Sequence, residues 1–254
     1  MTEPRRILIT GGTSGIGLAA ARRFAAQGGA RLVLNGRDPA RGAAACRAVQ
    51  AAVPDSVVTF IAADVTQRET AAHLVTEAAR TLDGPIDVLV NSAGGDFIPS
   101  LFHETTLDQI DGIVRCWLLA TMYVCRLALP AMRDGGAIVN VASDAAKVPT
   151  PGEAVIGAAM AGIAMFTRTL AMEAKRRHIR ANAVTPSLVA GTPTSDRVTA
   201  GGFSARLFDK ATRAAHLGVA SADDVAAAIV FLAGPDAQRM TGQVLSVNGG
   251  ISAG

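Results

Sequence analysis

Apolar and polar residues recur along this chain with two different periods, and stretches of the two kinds alternate. Short runs rich in β-branched residues are followed by longer Ala-rich stretches with a helical pattern. Strands separated by crossover helices are typical of a parallel α/β sheet. The pattern predicts strands at 6–10, 31–35, 57–62, 88–91, 137–141, 180–184 and 243–247, with helices beginning near Gly15, Pro39, Gln67, Leu107, Gly152 and Ala222.

No repeat, low-complexity tract or Pro/Gly-rich linker divides the chain, so residues 1–254 are expected to form a single domain. Residues 188–219 are the exception to the alternating pattern. This segment is irregular and rich in Gly, Thr and Ser, with a short helix expected at 205–216. Long loops in compact domains often bind ligands, so the segment is predicted to be a substrate lid.

Composition narrows the functional classes. The chain is 50% hydrophobic and 18% charged, with a formal net charge of +3. Its basic residues are scattered apart from the run 175–177, which we interpret as a solvated helix end, so no nucleic-acid partner is expected. No apolar run of about 18 residues and no signal peptide is recognised, which predicts no membrane association.

The three cysteines, Cys46, Cys116 and Cys125, have an odd count and no metal-ligand spacing. They are expected to pack as apolar side chains in a reduced, cytoplasmic protein, and no metal site is predicted.

The first chemical motif, TGGTSGIG at 10–17, lies between the first predicted strand and the first predicted helix. Glycines at that place let the backbone approach a pyrophosphate, whose charge is stabilised by the amides and dipole of the helix start. The alternative is a glycine-rich turn without a ligand. The residues expected to bind a cofactor here are Gly11, Thr13, Ser14, Gly15, Ile16 and Gly17.

The second predicted strand ends in Asn35-Gly36-Arg37. An NAD-specific site usually places a carboxylate there for the ribose hydroxyls, whereas an arginine suits a 2′-phosphate. NADP(H) is therefore the expected cofactor, and NAD(H) is the less favoured one.

Further motifs follow in order: Asp64-Val65, NSAG at 91–94, Pro186 with Val189, and VNGG at 247–250. Together with the glycine motif, this set resembles the short-chain dehydrogenase/reductase family over essentially the whole chain. The resemblance implies a Rossmann-type doubly wound sheet, a nicotinamide cofactor and often a homotetramer. The further positions that match the family's cofactor site are Asp64, Val65, Asn91, Ala93, Gly94, Pro186 and Val189.

The family's catalytic residues are an Asn, a Ser, a Tyr and a Lys, and only the serine is matched, by Ser143. The usual spacing places Ile156 at the tyrosine position, Met160 at the lysine position and Trp117 at the asparagine position. The only tyrosine, Tyr123, lies in an earlier predicted helix. Two smaller departures are Ser187 in place of a glycine and Gly191 in place of a threonine, with Thr192 one position late.

Isoleucine and methionine cannot transfer protons, so the family's usual proton step is lost. Two hypotheses stay open: an oxidoreductase whose proton comes from the substrate or from another residue, and a catalytically silent protein that binds nucleotide or a partner. The apolar side chains at 117, 156 and 160 would either accommodate a flat hydrophobic substrate or fill the core. Five polar residues near the motifs are expected to be solvated loop residues: Asp96, His103, Asp144, Lys147 and Glu153.

Overall fold

The computed structural model describes residues 4–253, and within this range seven strands form one fully parallel sheet. The predicted doubly wound α/β sheet with about seven strands is confirmed. The strands are β1 (Arg5–Thr10), β2 (Ala30–Gly36), β3 (Val57–Ala62), β4 (Ile86–Asn91), β5 (Met132–Val141), β6 (Arg180–Pro186), β7 (Val189–Ala190), β8 (Ala220–Ser221) and β9 (Val244–Val247). The sheet order is β3-β2-β1-β4-β5-β6-β9, and β7 pairs separately with β8.

Helices connect the strands and cover both faces of the sheet. Most begin within two residues of the predicted starts. They are α1 (Gly15–Ala26), α2 (Pro39–Ala52), α3 (Arg68–Leu82), α4 (Leu107–Val114), α5 (Ala120–Ala128), α6 (Ala154–Ala174), α7 (Pro193–Thr199), α8 (Gly202–Ala214) and α9 (Ala222–Ala233).

Alternate residues of the central strand β1 belong to two different apolar cores. Ile7 and Ile9 pack in one cluster with Phe24 of α1, and this cluster also contains residues of α2 and α9. Leu8 points to the opposite face, where it packs with Leu74 of α3 and with residues of α5 and α6. Because both faces are buried, the strand reads as a continuous apolar run, as expected in a parallel sheet.

The segment 188–219 is more regular than the sequence predicted. The expected helix at 205–216 is found as α8, but α7 was not predicted. Thr192 accepts a hydrogen bond from the amide of Ser195, and Pro193 occupies the first turn, so α7 is a capped helix despite its polar composition. The pairing of β7 with β8 holds the two ends of this segment together.

The expectation that no apolar segment has membrane-spanning length needs correction. Two continuous helical segments, Leu107–Ala131 and Ala154–Arg177, each contain an 18-residue window of mean hydropathy 1.5. No uninterrupted apolar run in the sequence reaches that length, whereas such a window tolerates isolated charged residues. Both segments contribute side chains to the apolar cores beside the sheet, and core helices meet the same criterion.

The fold places a crevice at one edge of the sheet. The chain proceeds from β1 to β2 on one side and from β4 to β5 on the other, although β1 and β4 are neighbours. Loops after two such strands diverge, and ligands of open α/β sheets bind at this switch point, beyond the carboxyl ends of the strands.

Candidate cofactor and substrate site

A cavity of about 790 Å³ lies at the carboxyl edge of the sheet, next to the switch point. Its volume is in the range of small-molecule and cofactor sites. All of the site residues singled out from the sequence line it, except Gly17 and Asn91. Those that do are Gly11, Thr13, Ser14, Gly15, Ile16, Asn35, Arg37, Asp64, Val65, Ala93, Gly94, Trp117, Ser143, Ile156, Met160, Pro186 and Val189.

The glycine turn after β1 is packed too closely for side chains. Gly11 has a φ of 64°, and a Cβ at this position would lie 2.4 Å from the carbonyl oxygen of Ser92. A Cβ at Gly17 would lie 2.4 Å from the carbonyl oxygen of Gly11. Gly17 therefore lies behind the cavity and lets α1 start directly against the turn. The turn presents its backbone to the cavity, as a pyrophosphate site requires.

Two arginines line the cavity beside the end of β2. Arg37 is exposed and follows β2, and Arg41 lies in the first turn of α2, where its guanidinium donates to Ser14 Oγ at 3.3 Å. The one carboxylate in this stretch, Asp38, caps α2 by accepting from the amides of Ala40 at 2.8 Å and Arg41 at 3.2 Å. This end of the cavity can therefore hold an anionic group. Arg41 was not predicted from the sequence.

Asn91 lies behind the cavity rather than in it. It is buried, and its amide donates to Asn140 Oδ1 at 2.9 Å, while Asn140 in turn donates to Thr167 Oγ1 at 2.9 Å. The chain of hydrogen bonds links the ends of β4 and β5 to α6. Its effect on the site is structural, because it fixes the two elements that carry Ser143 and Ile156.

Apolar side chains surround Ser143 at the far end of the cavity. Trp117 lies in a π-helical turn, Arg115–Leu119, between α4 and α5. Such turns are rare and often mark functional sites, and sequence periodicity cannot reveal them. The Trp117 ring packs at 57° to that of Phe97, with centroids 5.6 Å apart. Ile156 and Met160 complete this wall from one face of α6.

The expectation of solvated loop residues is wrong for Asp144, and also for Lys147 and Glu153, whose side chains are largely buried. The Asp144 carboxylate accepts from the side chains of Ser252 at 2.6 Å and Asn248 at 3.2 Å. Lys147 lies 4.0 Å from the same carboxylate and also donates to Ser246. This cluster ties the C-terminal residues to the turn that follows Ser143.

The other polar candidates differ in position. Asp96 and His103 are exposed, as expected. Glu153 lines the cavity, and burial raises the pKa of its carboxyl to about 7. A further lining residue that the sequence did not indicate is Cys116, whose thiol has its pKa raised by burial to about 11.

The segment 188–219 forms one wall of the cavity. Val198 of α7 and Leu207, Phe208 and Lys210 of α8 line it. Thr192 also lines it, but its hydroxyl caps α7 and donates to the carbonyl of Val189 at 2.9 Å.

The sheet order, the glycine turn after β1 and the long cavity at the switch point define a dinucleotide-binding protein of the Rossmann type. A family model described as enoyl-(acyl carrier protein) reductase matches residues 11–252. The chain belongs to the short-chain dehydrogenase/reductase family.

Similar proteins cover nearly the whole chain. A 7alpha-hydroxysteroid dehydrogenase of Bacteroides fragilis is 32% identical, covering 98% of this chain and 95% of its own. A 3beta-hydroxysteroid dehydrogenase 1 of Eggerthella lenta is 31% identical, covering 98% of this chain and 94% of its own. Among solved structures, a blue fluorescent protein from a metagenomic library, crystallised in complex with NADPH, is 30% identical in sequence. The two structures superpose with a TM-score of 0.87 over 99% of each chain.

The protein is thus a member of an oxidoreductase family that binds a nicotinamide dinucleotide, and its homologues act on small molecules. The residues present fit such a cofactor. The turn at Gly11 leaves space only for backbone beside the cavity, and the arginines at the end of β2 supply cations for its phosphates.

Proposed function

We propose that this protein is an NADP(H)-dependent oxidoreductase that reduces a carbonyl group on an apolar small molecule, in a site without the family's usual tyrosine and lysine. One observation carries the proposal. A single cavity joins a cationic end, at Arg37 and Arg41, to an apolar end that contains the hydroxyl of Ser143.

The cofactor is proposed to lie along the glycine turn. The backbone of the turn and the start of α1 bind its pyrophosphate, and Asp64 and Val65 border its adenine. Asn35 holds the strands next to the adenine in place. The Asn35 amide donates to the carbonyls of Ile61 at 3.2 Å and Ala63 at 3.0 Å, so it fixes β2 against β3. Ala93, Gly94, Pro186 and Val189 line the part of the cavity that leads to Ser143.

The preference for NADP(H) rests on charge. Arg37 and Arg41 can both approach a 2′-phosphate, and arginine forms bidentate contacts with phosphate oxygens. Asp38 uses its Oδ1 to cap the start of α2, so only its Oδ2 is left as an acceptor for ribose hydroxyls.

The apolar wall supports a hydrophobic substrate. Trp117, Ile156 and Met160 face the cavity from one side, and Phe208 and Leu207 of α8 line it from the segment 188–219. That segment is proposed to act as the lid. Two of the relatives are named as steroid dehydrogenases, which supports a large apolar substrate without identifying it.

Ser143 is proposed to orient the substrate carbonyl. Its side chain accepts from the amide of Ala145 at 3.3 Å, so its own proton is available to the cavity. The reduced nicotinamide, when bound, supplies a hydride. The side chains of Ile156 and Met160 exclude water but cannot give a proton to the carbonyl oxygen. That proton comes from a donor on the substrate, such as an adjacent phenol, or from another residue.

The same two side chains favour the second candidate function, a catalytically silent protein that binds nucleotide or a partner. One assay separates the two. The purified protein is incubated with NADPH or NADH and a panel of apolar ketones, and cofactor oxidation is compared with the alcohol formed. Stoichiometric alcohol supports the oxidoreductase. Tight cofactor binding without turnover of any ketone supports the silent protein.

A homo-oligomer, in particular a tetramer, is proposed from the helices beside the sheet. Met165 and Met172 are exposed and lie seven residues apart, which places them on one face of α6. Exposed apolar residues aligned on one face favour burial against a second copy.

A further inference from the structure

Glu153 directly precedes α6, and hydrogen bonds of its backbone carbonyl and amide hold it in position. Its carbonyl accepts from the amide of Gly157 at 2.6 Å, and its own amide donates to the carbonyl of Thr150 at 3.0 Å. It lies three residues before Ile156, which is about one helical turn. Both side chains line the cavity that contains Ser143, so Glu153 has access to the same space.

The first turn of α6 packs directly on the turn that follows Ser143. A Cβ at Gly157 would lie 3.0 Å from the carbonyl oxygen of Ala145. The short helix Asp144–Ala146 is capped by Ser143 itself, through the amide of Ala145. The start of α6 and the catalytic serine are thus neighbouring parts of one wall, and a substrate carbonyl at Ser143 would lie on the side of the cavity that carries Glu153.

The lid segment packs against the residue that precedes Glu153. Gly152 has a φ of 86°, and the ring of Phe203 in α8 packs directly against it. A Cβ added at Gly152 would lie 2.4 Å from a carbon of that ring. Pro149 and Pro151 line the cavity on the adjoining loop. Burial raises the pKa of Glu153 to about 7; a hydrogen bond with Thr150 lowers it, and the charge of Asp144 raises it further. A sizeable fraction of the protein therefore holds a protonated Glu153 at neutral pH.

The charged groups around Glu153 do not include an evident counter-ion within the described residues. Asp144, the acid whose charge acts on Glu153, is engaged with Lys147 and Ser252. Arg197 of α7 lines the cavity but pairs with Asp96 at 3.1 Å. Lys210 of α8 lines the cavity from the lid side. The other charged side chains that line the cavity are Arg37, Asp38, Arg41 and Asp64.

We propose that Glu153 is the acid of this site, giving a proton to the carbonyl oxygen that Ser143 orients, in the role that Ile156 and Met160 cannot perform. The proposal rests on the proposed function. A bound reduced nicotinamide would be the reductant, and the hydride that it supplies would form the new C–H bond. The π pair of the carbonyl moves onto oxygen, which takes the proton of Glu153. The carboxylate then regains a proton from water, and the sequence reverses for alcohol oxidation.

A conservative pair of variants tests this role. Glu153→Gln keeps the shape but cannot supply the proton, and Glu153→Asp keeps an acid on a shorter side chain. Glu104→Gln, at an exposed glutamate, is the matched control. Substrates are a bicyclic aryl ketone, the same ketone with a phenol beside the carbonyl, and the methyl ether of that phenol. Cofactor binding and thermal unfolding of each variant show whether the site is intact.

With the simple ketone, we expect kcat/KM of the native protein to fall as pH rises through about 7, because the protonated form is lost. Glu153→Gln should lower kcat by about 10²–10⁴-fold with little change in KM and abolish that pH dependence. Glu153→Asp should retain part of the activity. An unchanged rate and pH profile in Glu153→Gln would overturn the role of Glu153 while leaving the proposed function intact.

A readout independent of turnover is the protonated-carboxyl band of Glu153 in infrared difference spectra of the protein without substrate. The band should titrate near pH 7, be absent in Glu153→Gln and shift in Glu153→Asp. A carboxyl that is ionised by pH 5 overturns the proposal whatever the activity. Turnover of the phenolic ketone only, unaffected by Glu153→Gln, assigns the proton to the substrate instead. No turnover of any substrate overturns the proposed function and this role together.

Discussion

Arg37 and Asp96 form an ion pair at the mouth of the cavity, with the guanidinium Nη2 3.8 Å from the carboxylate Oδ2. The same carboxylate lies 3.1 Å from Arg197 of α7, so it connects the end of β2 with the lid segment. All three side chains are at least partly exposed, and such a pair is weak in water. A 2′-phosphate can therefore compete with Asp96 for Arg37.

The first prediction follows from that competition. Arg37→Ala should weaken NADPH binding by about 10–100-fold, because a hydrogen bond to a charged group contributes about 1.5–3 kcal/mol. Binding of NADH should change little. Asp96→Asn should tighten NADPH binding by a few-fold, because Arg37 is released. Calorimetric titration of both cofactors measures these effects. NADH binding as tight as NADPH binding, and unaffected by Arg37→Ala, would contradict the proposed preference.

The second prediction concerns Cys116. Burial raises the pKa of its thiol to about 11, so the reactive thiolate is scarce at pH 8. Alkylation by iodoacetamide should be about 100-fold slower than for an exposed cysteine, and slower again with saturating NADPH, because Cys116 lines the cavity. Mass spectrometry of the labelled peptides measures the rate against an exposed cysteine in a reference peptide, and Cys46, which does not line the cavity, is the internal control for protection by NADPH. Fast labelling of Cys116 that NADPH leaves unchanged would place it away from the cofactor.

Local patterns were sufficient for the sheet and for most residues that line the proposed cofactor end of the cavity. The seven strands are apolar runs bounded by polar residues, and the glycine turn is contiguous in sequence, so both can be recognised without tertiary contacts. Arg37 was found for the same reason. Arg41 was missed, although it lies only four residues further on, in the first turn of α2.

The polar groups at the catalytic end depend on tertiary packing instead. Asp144 was expected in solvent, but its partners Asn248 and Ser252 are about a hundred residues away. One feature of the sequence did single out Glu153. It is the only charged residue in 152–166, and it lies one turn before Ile156. What the sequence could not show is the packing of α8 against Gly152, next to this residue, or the burial of the carboxyl.

The third prediction is that Glu153 makes stability depend on pH. Its pKa is about 7 in the folded protein and about 4.5 when unfolded, so the folded state binds more protons between these values. The contribution of Glu153 to the free energy of unfolding is therefore fully present below about pH 4.5 and is lost as pH rises through 7. The free energy of unfolding of Glu153→Gln should exceed that of the native protein by up to about 3 kcal/mol at pH 8, and the two values should be equal near pH 4.5. Urea unfolding at both pH values measures the difference, which Glu104→Gln should not show.

The fourth prediction concerns assembly. Light scattering at micromolar concentration should give the mass of a tetramer. Replacing Met165 and Met172 together by glutamate places charges on the exposed face of α6, so the mass should fall while the monomer stays folded, because both side chains point away from the core. A monomeric native protein would contradict the proposal. A tetramer that tolerates both charges would move the interface away from α6.

The last prediction is that the family's proton path can be rebuilt. Ile156 and Met160 lie four residues apart on one face of α6 and line the cavity. Ile156→Tyr with Met160→Lys, combined with Trp117→Asn for space, should increase reduction of a simple apolar ketone. Ile156→Tyr alone should do much less, because an unassisted phenol with a pKa near ~10 is poorly matched to neutral pH. If Glu153 is the native acid, adding Glu153→Gln to the rebuilt protein should lower the rate of ketone reduction only slightly. The same substitution in the native protein should lower that rate severely. Steady-state kinetics on the five proteins (native, Ile156→Tyr alone, rebuilt, and native and rebuilt each with Glu153→Gln) gives both comparisons. An equal loss from Glu153→Gln with and without the tyrosine and lysine would show that the carboxyl supports the site without supplying the proton.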